Sequence, residues 1–263
     1  MPRYKLTLEY DGGPFVGWQR QDNGLSVQGA LEQAVLRYTG ETVTAHAAGR
    51  TDAGVHAYGQ VAHVDLVRAD PARKVREALN AHLRPHPVAV VEAEEVDDTF
   101  HARFSAVERS YVYRILNRRA PAVLEAGKVW WVPQPLDADA MHAAGQELVG
   151  QHDFTSFRAA ECQANSPVKT IDELVVSRQG EHVEMFVRAR SFLHHQVRNI
   201  IGTLSLVGLG RWSHDDVRRA LEARNRAKAG PTAPPTGLYF RAVRYENAAG
   251  LQHPLPGRDG ETR

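Results

Sequence analysis

The sequence predicts an α+β protein made of two domains packed edge to edge. Three features point there. Short stretches of alternating apolar and polar residues recur along the chain, capped amphipathic helices lie between them, and each half offers several strands and at least two helices. With 263 residues, 43% of them hydrophobic, the chain is long enough for two cores. A division near Phe104 gives residues 1–103 and 104–263. It follows the acidic run Glu92, Glu94, Glu95, Asp97 and Asp98 and precedes an arginine-rich segment.

Tyr4, Leu6, Leu8 and Tyr10 alternate with polar residues as a half-buried strand requires, and Asp11-Gly12-Gly13-Pro14 ends it. Ser26 precedes Val27, Ala30, Leu31, Ala34, Val35 and Tyr38 at helical spacing and Gly40 follows, which predicts a capped helix over 27–39. Strands near 42–47, 60–67 and 87–96 and a helix near 71–82 complete the first half. The second half opens with the β-forming run Tyr111 to Leu116, followed by a helix starting near Asp137. Strands at 171–178 and 182–190 flank a turn at Gln179-Gly180-Glu181. A long apolar helix is expected over 193–208 and a shorter one over 214–225. The loop Pro231 to Pro235 then leads to a last strand, Leu238 to Arg244, and the tail beyond Asn247 is expected to fray.

Net charge is +1, so any attraction to a polyanion must come from local segregation of charge. Residues 103–119 contain Arg103, Arg109, Arg114, Arg118 and Arg119 against one acid, Glu108. A solvated charged surface accounts for such a run equally well. No apolar stretch approaches the roughly 20 residues that span a bilayer, and Cys162, the single cysteine, cannot form an internal disulfide. A reducing, cytoplasmic setting is the natural expectation.

The most unusual segment is Gly49-Arg50-Thr51-Asp52-Ala53-Gly54-Val55-His56, where glycines bracket a charged pair between strands. An aspartate in such a loop often only caps a turn, but Arg50 stands where it can hold Asp52 ionised and orient it. Metal chemistry finds little support. There are 13 histidines, among them His56, His63, His194 and His195, yet no His-Glu-x-x-His helix and no cysteine pair. On the predicted helix, His194 and His195 would face different ways, which argues against joint ligation. The glycine segments also lack the phosphate-cradling pattern with its lysine.

Seven segments occur in one order: Phe15-Val16-Gly17-Trp18-Gln19, Gly49 to His56, Phe100-His101-Ala102-Arg103-Phe104-Ser105, Tyr111-Val112-Tyr113, Asp153-Phe154-Thr155-Ser156-Phe157, Phe192 to Asn199, and Gly237-Leu238-Tyr239. Together they closely resemble the tRNA pseudouridine synthase A family, from Tyr4 to about Tyr245. The resemblance implies that Asp52 is the nucleophilic carboxylate, Arg50 its paired arginine and Arg198 a second active-site arginine. It also implies that Tyr111 stacks on the target base and that Leu238 forms the pocket floor. Ser110 departs from the pattern, since family members often carry a basic residue before the tyrosine.

By the same resemblance, the antiparallel sheets of the two domains join into one extended sheet with a basic cleft between them. The protein would be a homodimer acting on uridines 38 to 40 of the tRNA anticodon arm, with no metal or cofactor, because the isomerisation is redox-neutral. Arg109, Arg114, Arg118 and Arg119 are the expected backbone clamps. Two rival readings are an RNA-binding protein without catalysis, which has no use for Asp52, and a pseudouridine synthase acting on ribosomal RNA, which the segments around Phe192 and Tyr111 disfavour.

Overall fold

The computed structural model describes residues 1–246, so the expectation for the tail beyond Asn247 lies outside the described residues. Ten strands form one sheet: β1 (Arg3–Tyr10), β2 (His46–Ala47), β3 (His56–Asp65), β4 (Val88–Val96), β5 (Ala106–Leu116), β6 (Trp130–Trp131), β7 (Gly150–Asp153), β8 (Val168–Gln179), β9 (His182–Ala189) and β10 (Leu238–Tyr245). The helices are α1 (Val27–Thr39), α2 (Ala72–Leu83), α3 (Ala138–Gly145), α4 (Gln196–Gly208) and α5 (His214–Glu222). Strand order is β4-β1-β3-β10-β5-β9-β8-β7, with β2 added to β3 and β6 to β5.

The extended sheet of the sequence reading is present, and its joint is the last strand. β10 pairs antiparallel with β5 over most of its length. On its other side it runs parallel to β3 through only two residue pairs, Tyr239 with His56 and Phe240 with Ala57. One hydrophobic cluster gathers Leu6, Leu8, Leu31, Val35, Leu79 and Phe240, and a second gathers Tyr113, Met141, Leu174, Ile200, Leu204 and Val217. Tyr111 packs against both.

The helix at 27–39 forms as its caps predict: Ser26 Oγ accepts from the Gly29 amide, and Gly40 closes it with φ 78°. Asp137 likewise caps α3, and Ser213 and Asp216 make a reciprocal capping box on α5. Three expectations need correction. The strand near 42–47 shrinks to His46–Ala47, because α1 takes the backbone before it: Glu32 Oε1 accepts from Ala45 N at 3.0 Å and Gln28 Nε2 donates to Ala45 O at 3.3 Å. β5 begins five residues before Tyr111, at Ala106, where Glu108, Arg109 and Ser110 hide its strand character. The helix at 193–208 starts only at Gln196, since His195 sits at φ 61°.

α4 lies backbone against backbone on the segment 230–233. A Cβ on Gly202 would fall 1.8 Å from the Pro231 carbonyl oxygen, and one on Gly230 would fall 2.6 Å from Thr203 Cα. The contact fixes Ala233, whose amide donates to Arg198 O at 3.1 Å. Gly202→Ala must therefore push the segment away, and we expect a loss of about 1–3 kcal/mol in stability, read as a lower midpoint in urea. An unchanged midpoint would contradict this close packing.

Candidate active site

The loop that carries Asp52 is locked before any charge is considered. Trp18 N donates to Thr51 O at 3.0 Å, Val55 N donates to Asp52 O at 3.2 Å, and Gln60 Nε2 donates to Gly49 O at 2.8 Å. The hydroxyls of Thr51 and Tyr10 meet at 2.8 Å. Gly17 crosses this loop with φ 111°, where a Cβ would lie 2.7 Å from Thr51 O, so only glycine passes there.

Three side chains from the start of α4 converge on the Asp52 carboxylate. Arg198 Nη1 donates to Oδ2 at 2.9 Å, His195 Nε2 lies 3.1 Å from Oδ2, and His194 Nε2 lies 3.2 Å from Oδ1. Arg198 is itself held by Nε donating to Ala233 O at 2.8 Å. Burial pushes the Asp52 carboxyl up. The hydrogen bond and charge of His195, the Arg198 hydrogen bond and the charge of His194 outweigh that and leave it below its ordinary value.

The expectation that His194 and His195 diverge is overturned. The left-handed backbone of His195 breaks the helical frame and turns both imidazoles onto one carboxylate, with the rings 4.0 Å apart. One ligand atom from each of Asp52, His194 and His195 lies within 4.8 Å of the others, a spacing suited to a divalent cation. Such an ion would compete with Arg198, which already occupies Oδ2. His56 and His63 are structural. His56 Nδ1 accepts from Gly12 N while its Nε2 meets Gly127 O, and His63 Nδ1 accepts from Ala102 N.

Asp52 faces a cleft of about 1330 Å³ that is also lined by Tyr111, Leu238, Arg50, Arg103, Arg190 and Arg198. The Tyr111 ring stands edge-on to Phe192, at 5.1 Å and 88°, and to Phe240, at 4.9 Å and 71°. Burial pushes its phenol well above the usual range. Leu238, 5% exposed, opens β10 at the cleft. Arg50 does not pair with Asp52. It is exposed and, like Arg103 and Arg190, makes no side-chain hydrogen bond or ion pair among the described residues.

The expected backbone clamps are placed otherwise. Arg109 is 9% exposed, and its guanidinium donates to the carbonyls of Ala48, Arg103, Ala106 and Arg190, so it holds three cleft-lining segments together and is not free for an external phosphate. Arg114 pairs with Glu184 and Glu125 and Arg118 with Glu181, and neither residue lines the cleft. Arg119 is exposed but also lies outside the cleft lining. Among the described residues, the cleft-lining arginines without a side-chain hydrogen bond or ion pair are Arg50, Arg103 and Arg190. Arg50 and Arg103 stand in segments that the sequence singles out, whereas Arg190 carries the same one-dimensional signal as any surface arginine, and only folding separates it from the rest.

A family profile described as tRNA pseudouridine synthase matches residues 7–105 and 144–246. The chain is 68% identical over 245 residues to tRNA pseudouridine synthase A of Rhodospirillum centenum, which covers 93% of this chain and 100% of that protein. It is 62% identical over 254 residues to the protein of that name from Paramagnetospirillum magneticum, covering 97% and 99%. The counterpart from Parvibaculum lavamentivorans is 60% identical over 246 residues, covering 94% and 100%.

Two outcomes follow from this geometry. A carboxyl with a depressed folded pKa contributes stability that is complete above its unfolded value and is lost as pH falls through the folded one. Asp52 should therefore stay ionised below its ordinary 3.8 in the folded protein, as read by carbon-detected NMR of its side-chain carboxyl. A titration at or above that value would contradict the site described. Arg109→Lys keeps the charge but loses most of the carbonyl bonds, so stability should fall by about 2–3 kcal/mol. A free phosphate clamp would tolerate the exchange with an unchanged melting temperature.

Proposed function

Since the chain belongs to the family of tRNA pseudouridine synthases, we propose that it isomerises uridine to pseudouridine in tRNA with Asp52 as the catalytic carboxylate. The observation that supports Asp52 most is its setting: a carboxylate held ionised by Arg198, His194 and His195 at the wall of a cleft rimmed by unpaired arginines.

In the reaction, the bond from ribose C1′ to uracil N1 breaks, the uracil turns, and C1′ bonds to C5. The proton displaced from C5 leaves and N1 gains one, so no electrons are exchanged and no energy source is consumed. A carboxylate serves this by adding to C1′, by adding to ring carbon 6, or by removing the 2′ proton. In each case the detached uracil carries negative charge, and Arg198, which touches the same carboxylate, is placed to stabilise it. The Tyr111 ring is the stacking surface for the target base. Its hydroxyl makes no hydrogen bond among the described residues and is free for the substrate. Leu238 closes the floor. Arg50, in the same loop as Asp52, turns to the RNA.

The substrate positions are 38 to 40 of the anticodon arm, read from the resemblance of the seven ordered segments. A target in a stem must leave its stack at a cost of a few kcal/mol, which phosphate contacts from Arg50, Arg103 and Arg190 offset. The division near 103/104 belongs to this reading, with Asp52 supplied from before it and Tyr111, Arg198 and Leu238 from after it. So do a homodimer and a cytoplasmic setting. No described helix is long and apolar enough to cross a membrane.

Asp52→Asn should abolish pseudouridine formation while leaving tRNA affinity intact, since it removes one negative charge from a basic cleft. The amide oxygen still accepts from Arg198, so we expect a stability loss of only about 1–2 kcal/mol. Single-turnover isomerisation, tRNA affinity and melting should be measured on one preparation. Substantial turnover by a folded Asp52→Asn protein would refute the assignment.

A further inference from the structure

Phe104 is 73% exposed, yet it is one of the residues lining the cleft that holds Asp52. Exposure of this size usually marks a loose loop tip, but here the loop is fixed at almost every residue. His101 N donates to Ser105 Oγ and Ser105 N to His101 O, both at 2.9 Å. Ala102 N donates to the buried His63 Nδ1 at 3.1 Å, and Tyr245 Oη donates to Ala102 O at 2.8 Å. Arg103 N donates to His101 Nδ1 at 3.1 Å, and the buried Arg109 guanidinium holds the Arg103 carbonyl.

On this pedestal the ring has two ring or cation contacts among the described residues. His101 lies 4.4 Å from it centroid to centroid, at 38°, and the Arg103 guanidinium lies 5.6 Å from its centroid. The core does not need the ring, because Ala102 and Ala106 on either side are the buried residues of this stretch. A rigid, solvent-facing phenyl beside unpaired arginines suits a flat, uncharged partner attached to a phosphate.

We propose that Phe104 is a stacking platform for an unpaired nucleobase of the RNA substrate next to the uridine that reacts, with Arg103 taking the adjoining phosphate. This rests on the reading of the cleft as the site of an RNA-modifying enzyme. The target base itself belongs to Tyr111 and Asp52, so Phe104 selects for a splayed neighbour and holds the strand in register. Because the loop is preformed, stacking pays little for ordering the protein.

The test uses the full chain with Phe104→Leu and Phe104→Trp, a synthetic anticodon-arm stem-loop, and copies of that RNA each carrying one abasic nucleotide in the loop. Affinity is measured at fixed salt, together with melting temperature. Phe104→Leu should weaken binding about five- to hundred-fold without lowering the melting temperature, and Phe104→Trp should restore it. One abasic position should cost the unaltered protein a similar factor and cost Phe104→Leu nothing more. Equal affinity of Phe104→Leu and the unaltered protein overturns the platform, as does an abasic penalty that is the same in both. If the unaltered protein makes pseudouridine while Phe104→Leu binds normally, only the platform fails. If it makes none but shows the coupled loss, the platform stands and the catalytic reading fails.

Discussion

An ion pair between residues 146 positions apart sets the terms for the rest of the structure: Arg198 on Asp52. Each group answers the other's charge where both are partly buried at the cleft, with His194 and His195 adding to the support of Asp52 and the Ala233 carbonyl to that of Arg198. Asp52 comes from a loop ahead of β3, and Arg198 comes from the first turn of α4, which packs in the other core. The sheet closes across the middle through β10 and so brings these two points together. The carbonyl of Ala233 and the tight seat of α4 on residues 230–233 then fix the arginine from behind.

Cations in this protein divide by what surrounds them. Arg109 is the internal kind, its charge answered by four carbonyl dipoles from the segments that form the cleft walls. Arg114 and Arg188 are answered by glutamates on the sheet, and Arg118 by Glu181 in the turn between β8 and β9. Among the described residues Arg50, Arg103 and Arg190 remain unanswered, and all three line the cleft. A net charge of +1 conceals this, since the field that a polyanion meets depends on which charges are left over and where.

Local chemistry was legible in the sequence where it was local. Ser26, Gly40 and Asp137 mark helix ends because a cap acts within one turn, and the period-two pattern of β1 reports burial on one face. The loop around Asp52 stood out for its glycines. What could not be read was set by partners far along the chain. Nothing near Arg109 in sequence says that its guanidinium will be enclosed. His195 looks like the third residue of a helix until its φ of 61° is known, and with it the convergence of two histidines on Asp52 was hidden. The backbone of residues 42–45 looked free to pair as a strand, but Gln28 and Glu32 of α1 claim Ala45 instead.

The placement of β10 has an effect in time as well as in space. Residues 238–245 are the last strand of the described chain, yet they form the middle of the sheet, touching β3 on one side and β5 on the other. A ribosome delivers the strands of both half-sheets before the keystone that joins them. Until then two half-sheets wait with unpaired inner borders, each a template for a strand from another chain. Slow translation or premature release before residue 238 would leave both borders open, so exposure to aggregation lasts until residues 238–245 have been made and seated.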